Sequence, residues 1–217
     1  MIPALDFFLA CGRISGGWTG HQLTFHVARR GERVMISQRV GVGFDIHRMK
    51  KGAAILLGGV RIPCEFSLVG HSDADVLLHA IIDAMLGAAG LGDIGEMFPD
   101  DDPTNFGRDS ADMLHEALGR VQTEGWKVVN LDCTVFAEKP RLGHHKVDIR
   151  LRISELLIIN MDRVNVKAKT MEQLGPIGNC EAIAAQCVVL MTQKSEARPK
   201  ILEMAQAETI SVEMHEN

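Results

Sequence analysis

From Val40 to His47 apolar and polar positions alternate, with Val40, Val42, Phe44 and Ile46 interleaved with Gly41, Gly43, Asp45 and His47. A period of two is that of a half-buried strand. It places Phe44 and Ile46 toward the core, with Asp45 and His47 together on the opposite face. Lys50-Lys51-Gly52 supplies a turn and Ala54 to Ile62 a second strand, which predicts a hairpin. Ser72-Asp73-Ala74-Asp75 has the character of a capping box, with Ser72 as N-cap of a helix running to about Ala89. The apolar periods then predict a helix over Asp109 to Glu124, a strand over Lys127 to Ala137 and a helix over His144 to Leu157. A strand over Arg163 to Lys169 and a last helix over Cys180 to Gln193 complete the pattern. The order ββααβαβα predicts an α/β domain, α+β layered, whose mixed sheet carries helices packed on one face.

Outside this core the pattern fades. Residues 1–37 hold Gly12, Gly16, Gly17, Gly20 and Gly31 without a sustained period, and read as an N-terminal extension or a misassigned start. Their basic bias, from Arg13, Arg29, Arg30 and Arg33, leaves an organelle-targeting role open. Residues 195–217 read as a solvated acidic tail with a short helix around Ile201 to Ala207. The domain itself is assigned to residues 38–194.

The net charge of −5 argues against a nonspecific nucleic-acid binder. No apolar run approaches the roughly 20 residues that span a bilayer, so no membrane association is expected. The cysteines Cys11, Cys64, Cys133, Cys180 and Cys187 include no C-x-x-C pair, which fits neither a disulfide framework nor a thiolate zinc site. A reducing compartment follows, with the cytoplasm as default and a plastid still open.

Asp45 and His47, two apart on a strand, form a two-ligand platform. In the following helix Asp75, His79 and Asp83 make a polar stripe on an otherwise apolar segment, and such a stripe needs partners. An Asp with two His is a reasonable ligand set for a catalytic zinc, the fourth position being left to water or substrate. Asp75 or Asp83 would then accept the free ring N–H of His79. Each part has a plainer reading, since D-x-H pairs recur by chance and a lone helical His is commonly a hydrogen-bonded core residue. The acidic loop Phe98-Pro99-Asp100-Asp101-Asp102 suits polyol hydroxyls, a divalent ion or a solvated turn. Lys167, Lys169, Thr170 and Glu172 at the end of a strand suit phosphate oxygens. No P-loop, G-x-S-x-G elbow or strand-to-helix G-x-G-x-x-G occurs, so an activated protein nucleophile is not expected.

These segments together resemble one family, the 2-C-methyl-D-erythritol 2,4-cyclodiphosphate synthases of the non-mevalonate isoprenoid pathway. The resemblance spans about residues 39–193, through Gly41-Val42-Gly43-Phe44-Asp45-Ile46-His47, His71-Ser72-Asp73-Ala74-Asp75-Val76 with His79, Gly92-Asp93-Ile94-Gly95, Phe98-Pro99-Asp100, Ala137-Glu138-Lys139-Pro140-Arg141-Leu142 and Val164-Asn165-Val166-Lys167-Ala168-Lys169-Thr170-Met171-Glu172.

The resemblance implies that Asp45, His47 and His79 bind Zn2+ and that His71 and Thr170 stabilise the transition state. It implies a methylerythritol phosphate pocket from Ser72, Asp93, Ile94, Gly95, Phe98, Pro99, Asp100 and Asp102. Ala137, Pro140, Arg141 and Leu142 would line the cytidine pocket, with Lys169, Met171 and Glu172 at the diphosphate. Glu172 would ligate a second divalent cation, Mg2+ or Mn2+. It further implies a phosphorus–oxygen lyase that acts on a cytidine diphosphate substrate, as a homotrimer with active sites between subunits. The chain departs from the family at Arg141, where Lys is usual, and at Pro176 and Asn179, where some members carry a Phe and an Arg associated with an isoprenoid-phosphate cavity. The rival readings are a metal-dependent phosphohydrolase of a related nucleotide and a catalytically silent zinc-binding trimeric scaffold.

Overall fold

The computed structural model describes residues 34–196. Most of the N-terminal extension, nearly all of the acidic tail, the short helix expected around Ile201 and Cys11 therefore lie outside the described residues. In chain order the elements are β1 (Val34–Lys51), β2 (Ala54–Leu57), β3 (Val60–Pro63), β4 (Phe66–Val69), α1 (Val76–Ala89), α2 (Ile94–Met97), α3 (Ser110–Thr123), β5 (Trp126–Phe136), α4 (Lys146–Leu157), β6 (Val164–Lys169), α5 (Gly175–Gly178) and β7 (Ala182–Glu196). Single 3-10 turns occupy Pro103–Asn105, Gly143–His145 and Met161–Arg163. The mixed sheet expected from the sequence is five-stranded, in the order β4-β1-β7-β5-β6. β5 and β6 are parallel, and the other neighbours are antiparallel.

The segment expected as the last helix is a strand. β7 pairs with β1 from Ala182 opposite Arg48 to Glu196 opposite Val34, so the sheet extends a few residues beyond both ends of the assigned domain. Its side chains follow a period of two: Ile183, Ala185, Cys187, Val189 and Met191 are buried, whereas Gln186 and Val188 are exposed. Hydrogen bonding on both edges, to β1 and β5, outweighs the helix propensity of its alanines.

The expected hairpin also differs. β1 pairs with β4, and the chain between Lys51 and Phe66 forms β2 and β3 as a separate two-stranded ribbon. Gly58 and Gly59 make its turn with φ of 63° and 73°, a two-residue connection that favours glycine at both positions.

The face of β1 that packs is the opposite of the expected one. Gly41 and Gly43 are buried against α1, and Phe44 and Ile46 are exposed on the outer face with Val40 and Val42. A Cβ on Gly41 would strike the backbone and side chain of Ala84 and Ala88, and one on Gly43 would strike Ala80 and Ala84. Small residues on both partners bring strand and helix backbones together, so the glycines choose the packed face. α1 is accordingly buried almost all round. No described helix is long and apolar enough to cross a membrane.

Candidate active site and metal centre

α1 begins later than expected, with Asp75 rather than Ser72 as its N-cap. The Asp75 carboxylate accepts from Leu77 N and Leu78 N at 3.1 Å, and from the hairpin-turn amides Gly58 N at 2.8 Å and Gly59 N at 2.7 Å. Asp83 accepts from Ile94 N at 2.9 Å. Both carboxylates are thus engaged with backbone amides, and neither orients His79 as the sequence reading expected.

Asp45 and His47, on the helix-facing side of β1, do converge on His79. His79 Nδ1 lies 2.9 Å from Asp45 Oδ2 and 3.0 Å from His47 Nε2, and His47 Nε2 lies 3.1 Å from the same Asp45 oxygen. Burial alone would raise the Asp45 pKa, but hydrogen bonds from His47 and His79 and their charges outweigh it and hold the carboxyl well below the usual range. Three ligand atoms within 4.8 Å of one another, one carboxylate oxygen and two imidazole nitrogens, form the one group of this kind among the described residues. Their mutual approach fits a divalent cation, which replaces the ring protons that otherwise separate them.

The partner of the outer ring nitrogen escaped the sequence reading. His79 Nε2 lies 2.9 Å from Ser110 Oγ and 3.1 Å from Ser72 Oγ. Ser110 is fully buried in the first turn of α3 and in turn hydrogen-bonds through its hydroxyl and backbone N–H to the Asp73 carboxylate. Asp73 and Ser110 stand 37 residues apart in sequence, so no local spacing signals the pair.

The remaining expected site residues fall into two clefts. A cleft of about 690 Å³ beside the three ligands is lined by His71, Ser72, Ile94, Gly95, Phe98 and Asp100, together with Asn105, Phe106 and Met113, which the sequence reading did not single out. His71 is exposed there, with Nε2 3.9 Å from Asp100 Oδ2. A second cleft of about 300 Å³ is lined by Ala137, Pro140, Arg141, Leu142, Lys169 and Thr170, with His144 and Lys146. The two clefts share no lining residue. Around them, Asp93 caps α2 through Glu96 N, and Asp102 caps the 3-10 turn through Thr104. Pro99 O accepts from the Asn105 side chain, and Met171 N donates to Glu138. Glu172 is exposed, with φ of 51°, and accepts from Thr170 Oγ1 at 2.6 Å. His71 and Thr170, both expected to act on the transferred group, therefore line different clefts of one chain.

The YgbB family model matches residues 38–192. The 2-C-methyl-D-erythritol 2,4-cyclodiphosphate synthase of Bacillus cereus (strain B4264) is 51% identical over 156 residues, which is 72% of this chain and 99% of the relative. That of Pseudomonas putida (strain W619) is 52% identical over 153 residues, covering 70% and 98%. Among solved structures, the bifunctional IspDF of Campylobacter jejuni aligns with a TM-score of 0.71 at 38% identity, over 76% of this chain and 44% of that one. A CDP complex of IspF from Plasmodium falciparum aligns with a TM-score of 0.64 at 34% identity, over 73% and 97%. By its matched domain this chain belongs to the YgbB family, that of the 2-C-methyl-D-erythritol 2,4-cyclodiphosphate synthases.

Proposed function

We propose that the chain converts 4-diphosphocytidyl-2-C-methyl-D-erythritol 2-phosphate to 2-C-methyl-D-erythritol 2,4-cyclodiphosphate and CMP. The observation that carries this reading is the Asp45–His47–His79 triangle opening on a cleft, in a domain 51% identical over 156 residues to a synthase of that name. The 2-phosphate oxygen of the substrate attacks the β-phosphorus of its own cytidine diphosphate group. One P–O bond forms, the bond to CMP breaks, and its electron pair leaves on the CMP phosphate. The nucleophile is already anionic and the leaving group is a stable phosphate, so no strong protein base or acid is needed.

The protein's task is then to hold a flexible substrate in line, an effect worth roughly 7–11 kcal/mol in well-oriented intramolecular reactions. Ser72, Asp93 to Gly95 and Phe98 to Asp102 take the methylerythritol phosphate end, and Ala137 to Leu142 take the cytidine. His71, Thr170 and Lys169 donate hydrogen bonds to phosphoryl oxygens, where developing charge is stabilised by donors already in place. Zinc on Asp45, His47 and His79, and magnesium or manganese at Glu172, supply Lewis-acid stabilisation of those oxygens when bound.

The working form in this reading is a homotrimer in which the ligand cleft of one subunit meets the nucleotide cleft of the next. Two features support it: the two clefts share no residue, and the outer face of β1 is apolar and exposed. The cytoplasm remains the compartment of choice for such an enzyme. Phosphorus NMR on the zinc- and magnesium-loaded protein with the substrate tests the function. CMP with a cyclic diphosphate supports it; free inorganic phosphate without cyclic product supports a phosphohydrolase; unchanged substrate with folded, zinc-loaded protein supports a silent scaffold.

A further inference from the structure

We propose that Asp73 and Ser110 are positioning residues that hold a ring proton of His79 on Nε2 and so reserve Nδ1, which faces Asp45 and His47, for the cation. The inference rests on the metal-centre reading of those three residues, and it follows from counting protons. A serine hydroxyl has one proton to give, and an ionised carboxylate can only accept. The Ser110 hydroxyl proton goes to Asp73 Oδ1, while Ser110 N donates to Asp73 Oδ2 at 3.1 Å. With its proton committed, Ser110 Oγ meets His79 Nε2 at 2.9 Å as an acceptor, and Nε2 must be the donor.

Ser72 Oγ, at 3.1 Å from the same nitrogen, already accepts from Ala74 N and keeps a free proton, so it fits either tautomer and decides nothing. Ser110 decides because both of its donors are taken by one carboxylate. Ser110 is fully buried and His79 nearly so, which removes water as a competing partner and makes the hydrogen-bond assignment costly to violate. The chain Asp73–Ser110–His79 thus joins the loop before α1 and the start of α3 to a ligand projecting from α1. Groups of this kind orient the metal-ligating ring and raise its basicity, and their loss typically costs 10–100-fold in metal affinity.

The test uses the full-length protein with labelled histidine. Long-range 15N–1H NMR should give His79 a protonated Nε2 both in metal-free protein at mildly alkaline pH and in zinc-loaded protein, with no proton on Nδ1 once zinc is bound. Ser110→Ala should leave Nε2 only partly protonated in the metal-free protein and give a 10–100-fold weaker zinc Kd in competition with a chromophoric chelator. Ser110→Thr, which keeps the hydroxyl, should restore both readouts, and Asp73→Asn should fall between them if Ser110→Ala fails to fold. A wild-type ring without a proton on Nε2, or Ser110→Ala and Asp73→Asn variants binding zinc within twofold of wild type, would overturn the relay. Wild-type protein with an Nε2–H ring but no zinc affinity would uphold the relay and overturn the metal reading alone.

Discussion

A Cβ atom on Gly43 would overlap the carbonyl oxygen of Ala80, so the strand carrying Asp45 and the helix carrying His79 touch through their backbones. Gly43 lies two residues before Asp45 and Ala80 one residue after His79, which makes this contact the spacer that sets the ligand triangle. Neither backbone has a flexible end that can yield. Gly43→Ala should therefore push α1 off the sheet, destabilising the fold by roughly 1–3 kcal/mol, the usual range for overpacking. Zinc affinity should fall with it. Urea unfolding and a chelator competition measure the two effects, and a variant within about 0.5 kcal/mol of wild type would show that the two elements are not held by this approach.

Asp75 ties two parts of the chain together by capping α1 and holding both amides of the Gly58-Gly59 turn. It is completely buried, so Asp75→Ala leaves amides without a partner or water. A lost cap costs about 1 kcal/mol and each buried unsatisfied donor about 1–3. The expected loss is on the order of 3 kcal/mol or more. Thermal unfolding of the metal-free protein reads it directly, and a change below about 1 kcal/mol would reduce Asp75 to an ordinary cap.

What alternation and spacing reveal ends where tertiary partners decide. A D-x-H pair two apart on a strand, followed by a histidine on an apolar helix, was legible because alternation alone puts Asp45 and His47 on one face. Which face is covered is not contained in alternation. It was settled by Gly41 and Gly43 admitting the backbone of α1, leaving Phe44 and Ile46 outside. Asp75 looked like a partner for His79 because i, i+4 spacing puts both on one helix face, but it stands at the helix N-terminus, where amides claim it. The true partner, Ser110, comes from another helix. Likewise the alanines of β7 favour a helix by propensity, and pairing on both edges makes the segment a strand.

Asp132 offers a pH test away from the site. It accepts from Lys167 Nζ at 2.6 Å and from Asn165 Nδ2 at 2.8 Å. Desolvation works to raise its pKa, but the Lys167 and Asn165 hydrogen bonds and the lysine charge win and lower it. A carboxylate with a depressed folded pKa contributes stability that is present above its unfolded value, about 3.9, and is lost as pH falls through the folded one. Both partners are about half exposed, so solvent screening limits the contribution to less than about 1 kcal/mol. Asp132→Asn should thus be slightly less stable than wild type at pH 7, and the gap should close below about pH 4. Paired denaturation curves at the two pH values check it; a gap that widens in acid would reverse the sign of the shift.

The outer face of β1 bears on the assembly. Val42 is 59% and Phe44 53% exposed, on a strand flanked by β4 and β7, with Val40, Ile46 and the neighbouring Val188 of β7 beside them. A contiguous apolar patch of this kind costs solubility unless another surface covers it. In the trimer reading that cover is a neighbouring subunit, and the same contact brings a nucleotide cleft to a ligand cleft. Phe44→Asp places a charge where it is well solvated in a free subunit but desolvated in an interface. It should leave the circular dichroism of the subunit unchanged, convert a trimer to monomer in analytical ultracentrifugation and reduce turnover at least tenfold. Phe44→Leu should keep both assembly and turnover. A Phe44→Asp protein that stays trimeric would show that this face is not the interface, and one that is monomeric yet fully active would show that a single chain's clefts suffice for the reaction.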